Sequence, residues 1–454
     1  MRSIYVARAA LAAIIAILFA CVTEEPPREE TISLADTARV DASPYWDHEP
    51  ALSMEDLEAG RHDTTWLQAA ARDTTRVRLA PLDTLETEPL TDALPATPDT
   101  ATASAARPDT AVASSAKPPR VVVTSRFPET YDDLDRIGGA AADSAPVVHL
   151  PIAGDAQGPS VLYVQVLLDR SPFSPGILDG KWGKNTRKAV YWLQRAEGLE
   201  ATGEVDSLTF ARLVEIARRS SGAPDRFVRT VRLTEADVEG PFVEIPSDVH
   251  AQADLECMCY ESALERVAER HHAAPELLER LNPGRALDSL AAGDSLRVPV
   301  LAERKPMRDV ARIVISVEGF YLHALDREGS LLYHFPVTVG SRYQPSPTGD
   351  YGIASITFDP WFHWQPALFD EVPDTEPDAR IPPGPNSPVG IVWMALTKDN
   401  YGIHGTSAPA TIGYATSHGC VRLTNWDARF LAERVEAGVP VSFRDVGEEP
   451  VATR

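Results

Sequence analysis

Cys420 stands in the run Ser417-His418-Gly419-Cys420-Val421-Arg422-Leu423, and a second histidine opens His404-Gly405-Thr406 a short way upstream. A cysteine attacks carbonyl carbon as the thiolate, yet an unperturbed thiol, with a pKa of ~8.5, is mostly protonated near neutral pH. It therefore needs a base or a positive neighbour, and His404 and His418 are the candidates. On an extended chain His418, two residues away, lies on the same side as Cys420. His404 reaches the thiol only if its own strand pairs alongside. Gly419 lets the backbone come close to a substrate carbonyl and offers amide N–H groups to an oxyanion. On spacing alone, a buried structural cysteine beside a satisfied histidine is the competing reading.

The surrounding pattern supplies elements able to hold these groups. Ile313, Ile315 and Val317 alternate with polar neighbours, and Gly319 turns the chain. Phe320–Leu325 and Leu331–Phe335 flank Asp326-Arg327-Glu328-Gly329, the length and composition of a four-residue hairpin connection. Further short strands are predicted at Tyr351–Ile356, Gly390–Leu396 and Tyr401–His404, giving a mainly antiparallel β domain. After Leu423, Thr424-Asn425-Trp426-Asp427 reads as a helix start with Thr424 as cap and Asp427 three residues on. A helix end placed there favours a nearby thiolate if its axis points suitably. The Pro- and acid-rich stretch Asp359–Ser387, with Trp361, Phe362 and Trp364, reads equally as a lid that excludes water or as a surface excursion.

Taken together, His404-Gly405-Thr406, Ile412-Gly413 and Ser417-His418-Gly419-Cys420-Val421-Arg422-Leu423 resemble the signature of the L,D-transpeptidase (YkuD-like) catalytic domain. Phe335-Pro336-Val337 with Gly340, Pro345-Ser346-Pro347-Thr348-Gly349 and Pro382-Pro383-Gly384-Pro385-Asn386-Ser387-Pro388 extend the likeness, and a domain spanning 308–446 is expected. The resemblance implies that Cys420 attacks the carbonyl of the third residue of a peptidoglycan stem peptide and releases the terminal D-alanine. His404 would take the thiol proton, oriented through the carbonyl of Gly405, and amides around His418, Gly419 and Cys420 would hold the oxyanion. Ser417, Thr406 and Arg422 would bind substrate, Arg422 being suited to a stem carboxylate. An amine of a second stem would resolve the thioester to a 3→3 crosslink, with no metal and no organic cofactor in the scheme. An L,D-carboxypeptidase, a ligase or hydrolase acting on wall-attached proteins, or a non-catalytic tether between membrane and wall are the alternatives.

Two smaller modules are expected upstream. Val161, Val164, Leu167 and Leu168 recur at helical spacing; a turn at Asp179-Gly180 leads to a second helix through Thr186–Gln194, stopped by Gly198. Asp206 can cap a third helix carrying Leu208, Leu213 and Val214. Leu178-Asp179-Gly180-Lys181-Trp182-Gly183, with Thr186, Leu193-Gln194, Gly198-Leu199 and Thr202-Gly203, resembles a three-helix peptidoglycan-binding domain, placed at 155–220. From 255 to 300, Leu278…Leu281-Asn282-Pro283…Gly293-Asp294…Leu296…Val298-Pro299 resembles a LysM module, a glycan-binding βααβ fold, although Tyr260-Glu261-Ser262 stands where Gly-Asp-Thr is the rule. Cys257-Met258-Cys259 precedes it. A disulfide with one intervening residue makes a strained ring, and a metal would need further ligands such as His271 and His272. Neither reading is favoured over a structural role without metal.

The N-terminal part has another texture. Arg2 and Arg8 precede an apolar run from Ala9 to Ala20, of signal-peptide length, and Leu18-Phe19-Ala20-Cys21 resembles a lipobox with Cys21 as the lipidated residue. Residues 21–150 read as a disordered Pro/Ala/Thr-rich tether, with repeated Pro-Asp-Thr. Residues 22–150 carry about 24 acidic and about 11 basic side chains, so roughly −13 of the formal −23 lies there. No basic stripe is left to displace counterions, which argues against a nucleic-acid partner. The expected partners are stem peptides and glycan strands, with the membrane reached through the lipid, at an extracytoplasmic address. Four cysteines, one of them lipidated, leave an odd number, which again points to a reactive thiol.

Overall fold

The computed structural model describes residues 120–123, 129–131, 147–221, 226–302, 310–369, 372–373 and 375–444. The predicted signal segment 1–20, Cys21 and nearly all of the predicted tether lie outside the described residues. Order nevertheless begins earlier than expected, because Arg120–Val123 (β1) and Val147–Leu150 (β2) pair in parallel inside the stretch read as tether. Glu129 also reaches the first helix, accepting from the Ser160 amide at 2.6 Å and its hydroxyl at 2.9 Å.

Pro159–Asp169 (α1), Lys184–Ala196 (α2) and Ser207–Ser221 (α3) form the three-helix unit. Pro159 opens α1 where its missing N–H costs nothing. Every residue of α1 is buried, as an all-round apolar helix requires. Gly198, at φ 67°, ends α2, and the Leu199 amide donates back to Gln194 O at 2.9 Å. Asp206 Oδ1 accepts from the Thr209 amide at 2.7 Å, the predicted cap of α3. Leu208 departs from expectation: it is 63% exposed, because the α3 face directed at α1 is set by Phe210, Leu213 and Ile216.

The second unit starts well before residue 255. Val228–Arg232 (β3) is followed by Glu235–Val238 (α4), Val249–Ala253 (α5), Ala263–Arg270 (α6), Pro275–Leu281 (α7) and Ser295–Pro299 (β4), with β3 and β4 antiparallel. β3 thus lies outside the predicted 255–300 boundary, with α4 and α5 between it and α6. Asn282 joins α7 to β4, donating to Leu278 O and Arg297 O and accepting from the Arg297 amide. Cys257 and Cys259 are joined as a disulfide, contrary to the expectation drawn from ring size. Among the described residues no cluster of three or more His, Cys, Asp or Glu side chains could hold a metal ion.

The third unit is built on an eight-stranded sheet. Its strands are Arg312–Ser316 (β5), Tyr321–Leu325 (β6), Leu331–Pro336 (β7), Gly349–Phe358 (β8), Val392–Leu396 (β11), Gly402–His404 (β12), Val421–Arg422 (β13) and Pro440–Arg444 (β14). They lie in the order β13-β12-β11-β8-β14-β5-β6-β7. Between β8 and β11, Phe362–Trp364 (β9) and Ala379–Ile381 (β10) form a separate antiparallel pair. The helix Asn425–Ala432 (α8) buries Ala428 and Leu431 against the sheet residues Val392, Met394 and Ile403. Most pairings are antiparallel, whereas β12–β13 and β14–β5 are parallel.

The units are not beads on a string. One apolar core runs through both upstream units and takes in Tyr321 of β6. Trp192 of α2 meets Tyr321 and His323 edge-on at 5.2 and 4.4 Å. Lys188, buried beside them, donates to Gly319 O and Phe320 O at 3.2 and 2.9 Å. Burial pushes its pKa well below the usual range, and those carbonyls, with the Phe320 ring 5.9 Å from Nζ, offset part of the cost of placing it there.

Candidate active site

Strand pairing brings the predicted residues together. In the parallel β12–β13 register Ile403 faces Val421 and His404 faces Arg422. Cys420 immediately precedes β13, so alternation puts its side chain on the face shared by His404 and Arg422. The β13 edge is held by the segment after β7. Thr338 and Arg422 exchange backbone bonds of 3.0 and 2.9 Å, and the Ser417 and Ser341 amides donate to Val339 O and Ser417 O.

The His404 imidazole is fixed in one tautomer. Its Nδ1 lies 2.7 Å from Gly405 O, and a carbonyl can only accept, so Nδ1 carries the proton. In the neutral ring Nε2 is then the basic nitrogen. Trp393 of β11 stacks on the ring at 5.3 Å. Burial lowers the imidazole pKa to about 3; the nearby Arg422 charge acts in the same direction and the Gly405 bond opposes both. The half-buried Cys420 thiol is pushed up by its packed surroundings, against a Gly402 backbone hydrogen bond and the Arg422 charge. Its Sγ lies 3.6 Å from Asn400 O. Both groups therefore rest uncharged near neutral pH.

The turn that carries Cys420 has little freedom. Gly419 has φ 110°, and a Cβ there would lie 2.7 Å from the Tyr401 ring and 3.2 Å from Pro345 O. Ser346 Oγ donates to Gly419 O at 2.8 Å and accepts from the Gly340 amide. Ser417 Oγ donates to Cys420 O at 2.5 Å and accepts from the Gly419 amide at 3.2 Å. Thr406 Oγ1 accepts from the Ala408 amide. Ser417 and Thr406, predicted to bind substrate, are thus both buried and hydrogen-bonded within their own turns. His418 sits beside the edge of Phe369, the ring centroids 5.2 Å apart.

Phe369 belongs to the stretch with the two sequence readings. Trp364, fully buried, packs with Phe369, Val372, Ala379 and Ile381 and with Val249 and Met258 of the upstream unit. The segment therefore has a small core of its own, pinned at one edge to the loop bearing His418.

Asn425 was named in the sequence only as part of a helix start. Its Oδ1 accepts from the amides of Thr406 (3.1 Å) and Ile391 (3.3 Å), and its Nδ2 donates to Pro385 O and to Glu269 Oε1, both at 3.1 Å. A Cβ at Gly405 would lie 2.2 Å from Asn425 Oδ1, so this glycine permits the close approach. Trp393 and Glu269 escaped sequence reasoning, and Tyr401 and Ser346 entered it only as parts of a strand and of a motif. Each contributes through a tertiary contact that has no local periodicity to announce it.

Comparison with known proteins identifies the two domains. The family model "L,D-transpeptidase catalytic domain" matches residues 311–442, and "Putative peptidoglycan binding domain" matches residues 157–213. The chain is 31% identical over 180 residues to "Putative L,D-transpeptidase YkuD" of Bacillus licheniformis, a match spanning 40% of this chain and 92% of that protein. Its Bacillus subtilis namesake is 30% identical over 154 residues, spanning 34% of this chain and 77% of that one. "Probable L,D-transpeptidase YbiS" of Escherichia coli is 47% identical over 73 residues, 16% of this chain and 22% of that one. Since nearly the whole Bacillus licheniformis protein is covered, and Cys420 and His404 both fall inside the matched domain, the chain belongs to the YkuD family of L,D-transpeptidases.

Proposed function

We propose that the chain is a peptidoglycan L,D-transpeptidase that forms 3→3 crosslinks through a thioester on Cys420. The observation that carries this is the His404 Nδ1–Gly405 O bond, which makes Nε2 a base on the strand paired beside Cys420. In the first half-reaction His404 Nε2 takes the thiol proton as Sγ bonds to the carbonyl carbon of the third stem residue. The carbon–nitrogen bond to the terminal D-alanine then breaks, and the proton passes from Nε2 to the leaving amine. In the second, an acceptor amine bonds to the same carbon, the carbon–sulfur bond breaks, and the acceptor's proton returns to sulfur through His404.

Because both partners rest uncharged, proton transfer accompanies attack and no stored ion pair is needed. The Gly419 amide is engaged by Ser417 Oγ in the resting turn, so we assign the oxyanion first to the Cys420 amide. Arg422 places its charge near both reacting groups and suits a donor-stem carboxylate. The β3–α6–α7–β4 unit serves as a LysM-like module, supported by its two helices on an antiparallel strand pair. Attachment through Cys21, supported by the apolar run before it, would confine the reaction to the cell envelope.

The test is mass spectrometry of products after incubating the full chain, or its Cys420→Ala form, with purified disaccharide-tetrapeptide. A cysteine-dependent dimer lacking one D-alanine is expected. Tripeptide without dimer would make the enzyme a carboxypeptidase, and no product from folded protein with a free thiol would move weight to a protein acceptor or a tether.

A further inference from the structure

Three consecutive residues at the start of α8 are each gripped by a unit upstream of the catalytic domain. Asn425 Nδ2 donates to Glu269 at the end of α6, the Trp426 ring stacks on His272 at 4.7 Å, and Asp427 Oδ2 accepts from Ser174 Oγ at 2.7 Å. His272 is itself held by Asp169 of α1 at 2.7 Å. One of these contacts continues to the reacting groups. Asn425 uses its Oδ1 on the amide of Thr406, which follows Gly405, and on that of Ile391, which follows the Gly390 packed against Gly405; the Gly405 carbonyl orients His404. The same upstream unit also touches the loop that supplies Pro385. Met258 donates to Pro383 O and accepts from the Asn386 amide, and Asn386 Nδ2 donates to Cys259 O.

Resting on the transpeptidase reading above, we propose that Glu269 is a positioning residue for catalysis: through Asn425 it fixes the Gly405 turn and thereby the His404 imidazole. The carboxamide leaves one orientation only. Its oxygen must face two amides, so its NH₂ must face acceptors, and Glu269 Oε1 and Pro385 O are the two present. Without Glu269 the Asn425 NH₂ loses one of its two acceptors, as does the Tyr260 hydroxyl, which donates to the same Oε1 at 3.4 Å, and the amide can turn away from the 405–406 backbone. Packing alone gives no reason for a carboxylate here. Burial, with Glu265 adding to it, pushes the Glu269 carboxyl up to about 7, a cost that an apolar side chain would avoid. The upstream unit is accordingly part of the catalytic framework as well as a wall-facing module.

The experiment compares Glu269→Ala and Glu269→Gln with the parent chain in three readouts: kcat and KM for crosslinking, the iodoacetamide alkylation rate at Cys420, and the melting temperature. Glu269→Ala should lower kcat by roughly tenfold to a hundredfold, the scale of a small misplacement of a catalytic group, with KM within about twofold. Glu269→Gln keeps an acceptor oxygen and should recover most of that loss. An alanine variant with unchanged kcat would overturn the proposal. So would two variants that lose activity equally in step with melting temperature, which would make the role merely structural. If the parent chain forms no crosslink, the transpeptidase reading fails, and the alkylation rate then decides the positioning role: a Glu269→Ala rate equal to the parent's would overturn it, and a slower rate restored in Glu269→Gln would support it.

Discussion

Cys420 and His404 both sit where ionisation is disfavoured, the thiol raised and the imidazole lowered to about 3. The alkylation rate of Cys420 by iodoacetamide should therefore climb from pH 6 to 9 with no inflection near 6.5, as read by peptide mapping. A plateau from pH 6 upward would mean a preformed thiolate–imidazolium pair. Replacing His404 by Ala should cost roughly 10²- to 10⁴-fold in crosslinking rate while Cys420 remains present, the usual worth of a positioned base. Cys420 and His404 stood out in the sequence because their types and spacing are chemically unusual. Asn425 and Glu269 did not, since an amide and a carboxylate on helix ends look like ordinary solvated polar groups until the chain is folded.

At the scale of elements, the sheet edge and its turns set the precision of the site. Gly419→Ala combines φ 110° with a Cβ 2.7 Å from the Tyr401 ring. Strain of about 1–3 kcal/mol is expected, with loss of crosslinking larger than loss of melting temperature. Trp364→Ala would empty the centre of the small core that carries Phe369 to His418, at about 3–5 kcal/mol locally. Faster hydrogen exchange at the β9 and β10 amides checks this; unchanged protection would show that the pair is held by other means. Alternating residues revealed β5, β6, β7, β8, β11 and β12, and Asp206 and Thr424 announced their helices. Within the catalytic unit β9, β10, β13 and β14 were not revealed. Three of these are short or Pro-flanked, and β13 has two residues, too few for any period.

For the molecule as a whole, the shared core makes the upstream units and the sheet mutually dependent, and it concentrates buried neutral histidines. His271 is lowered to about 4 and His323 to about 3, as His404 is, and His334 is also held well below its usual range, each chiefly by burial. The folded state leaves these rings unprotonated where the unfolded chain, with ordinary values near 6.5, binds protons. Stability from them is thus fully present above about pH 6.5 and falls as pH drops toward 4. Glu269, raised to about 7, and Glu265 and Asp179, also raised by burial, hold protons in the folded state and act in the opposite direction, three carboxyls against four histidines. Denaturant midpoints should be lower at pH 5 than at pH 7.5; equal midpoints would contradict these assignments. None of this was visible in the sequence. The periodicity of α2 marks an apolar face but does not say that Lys188 and Trp192 meet a neighbouring domain.

The central claim, a thioester on Cys420, is tested most directly by intact-protein mass spectrometry of the full chain with tetrapeptide donor and no added acceptor amine, quenched in acid. The account predicts a mass increase equal to the donor minus D-alanine, mapped to Cys420 and missing from Cys420→Ala. Crosslinked product formed without that adduct, or an adduct on another residue, would contradict it.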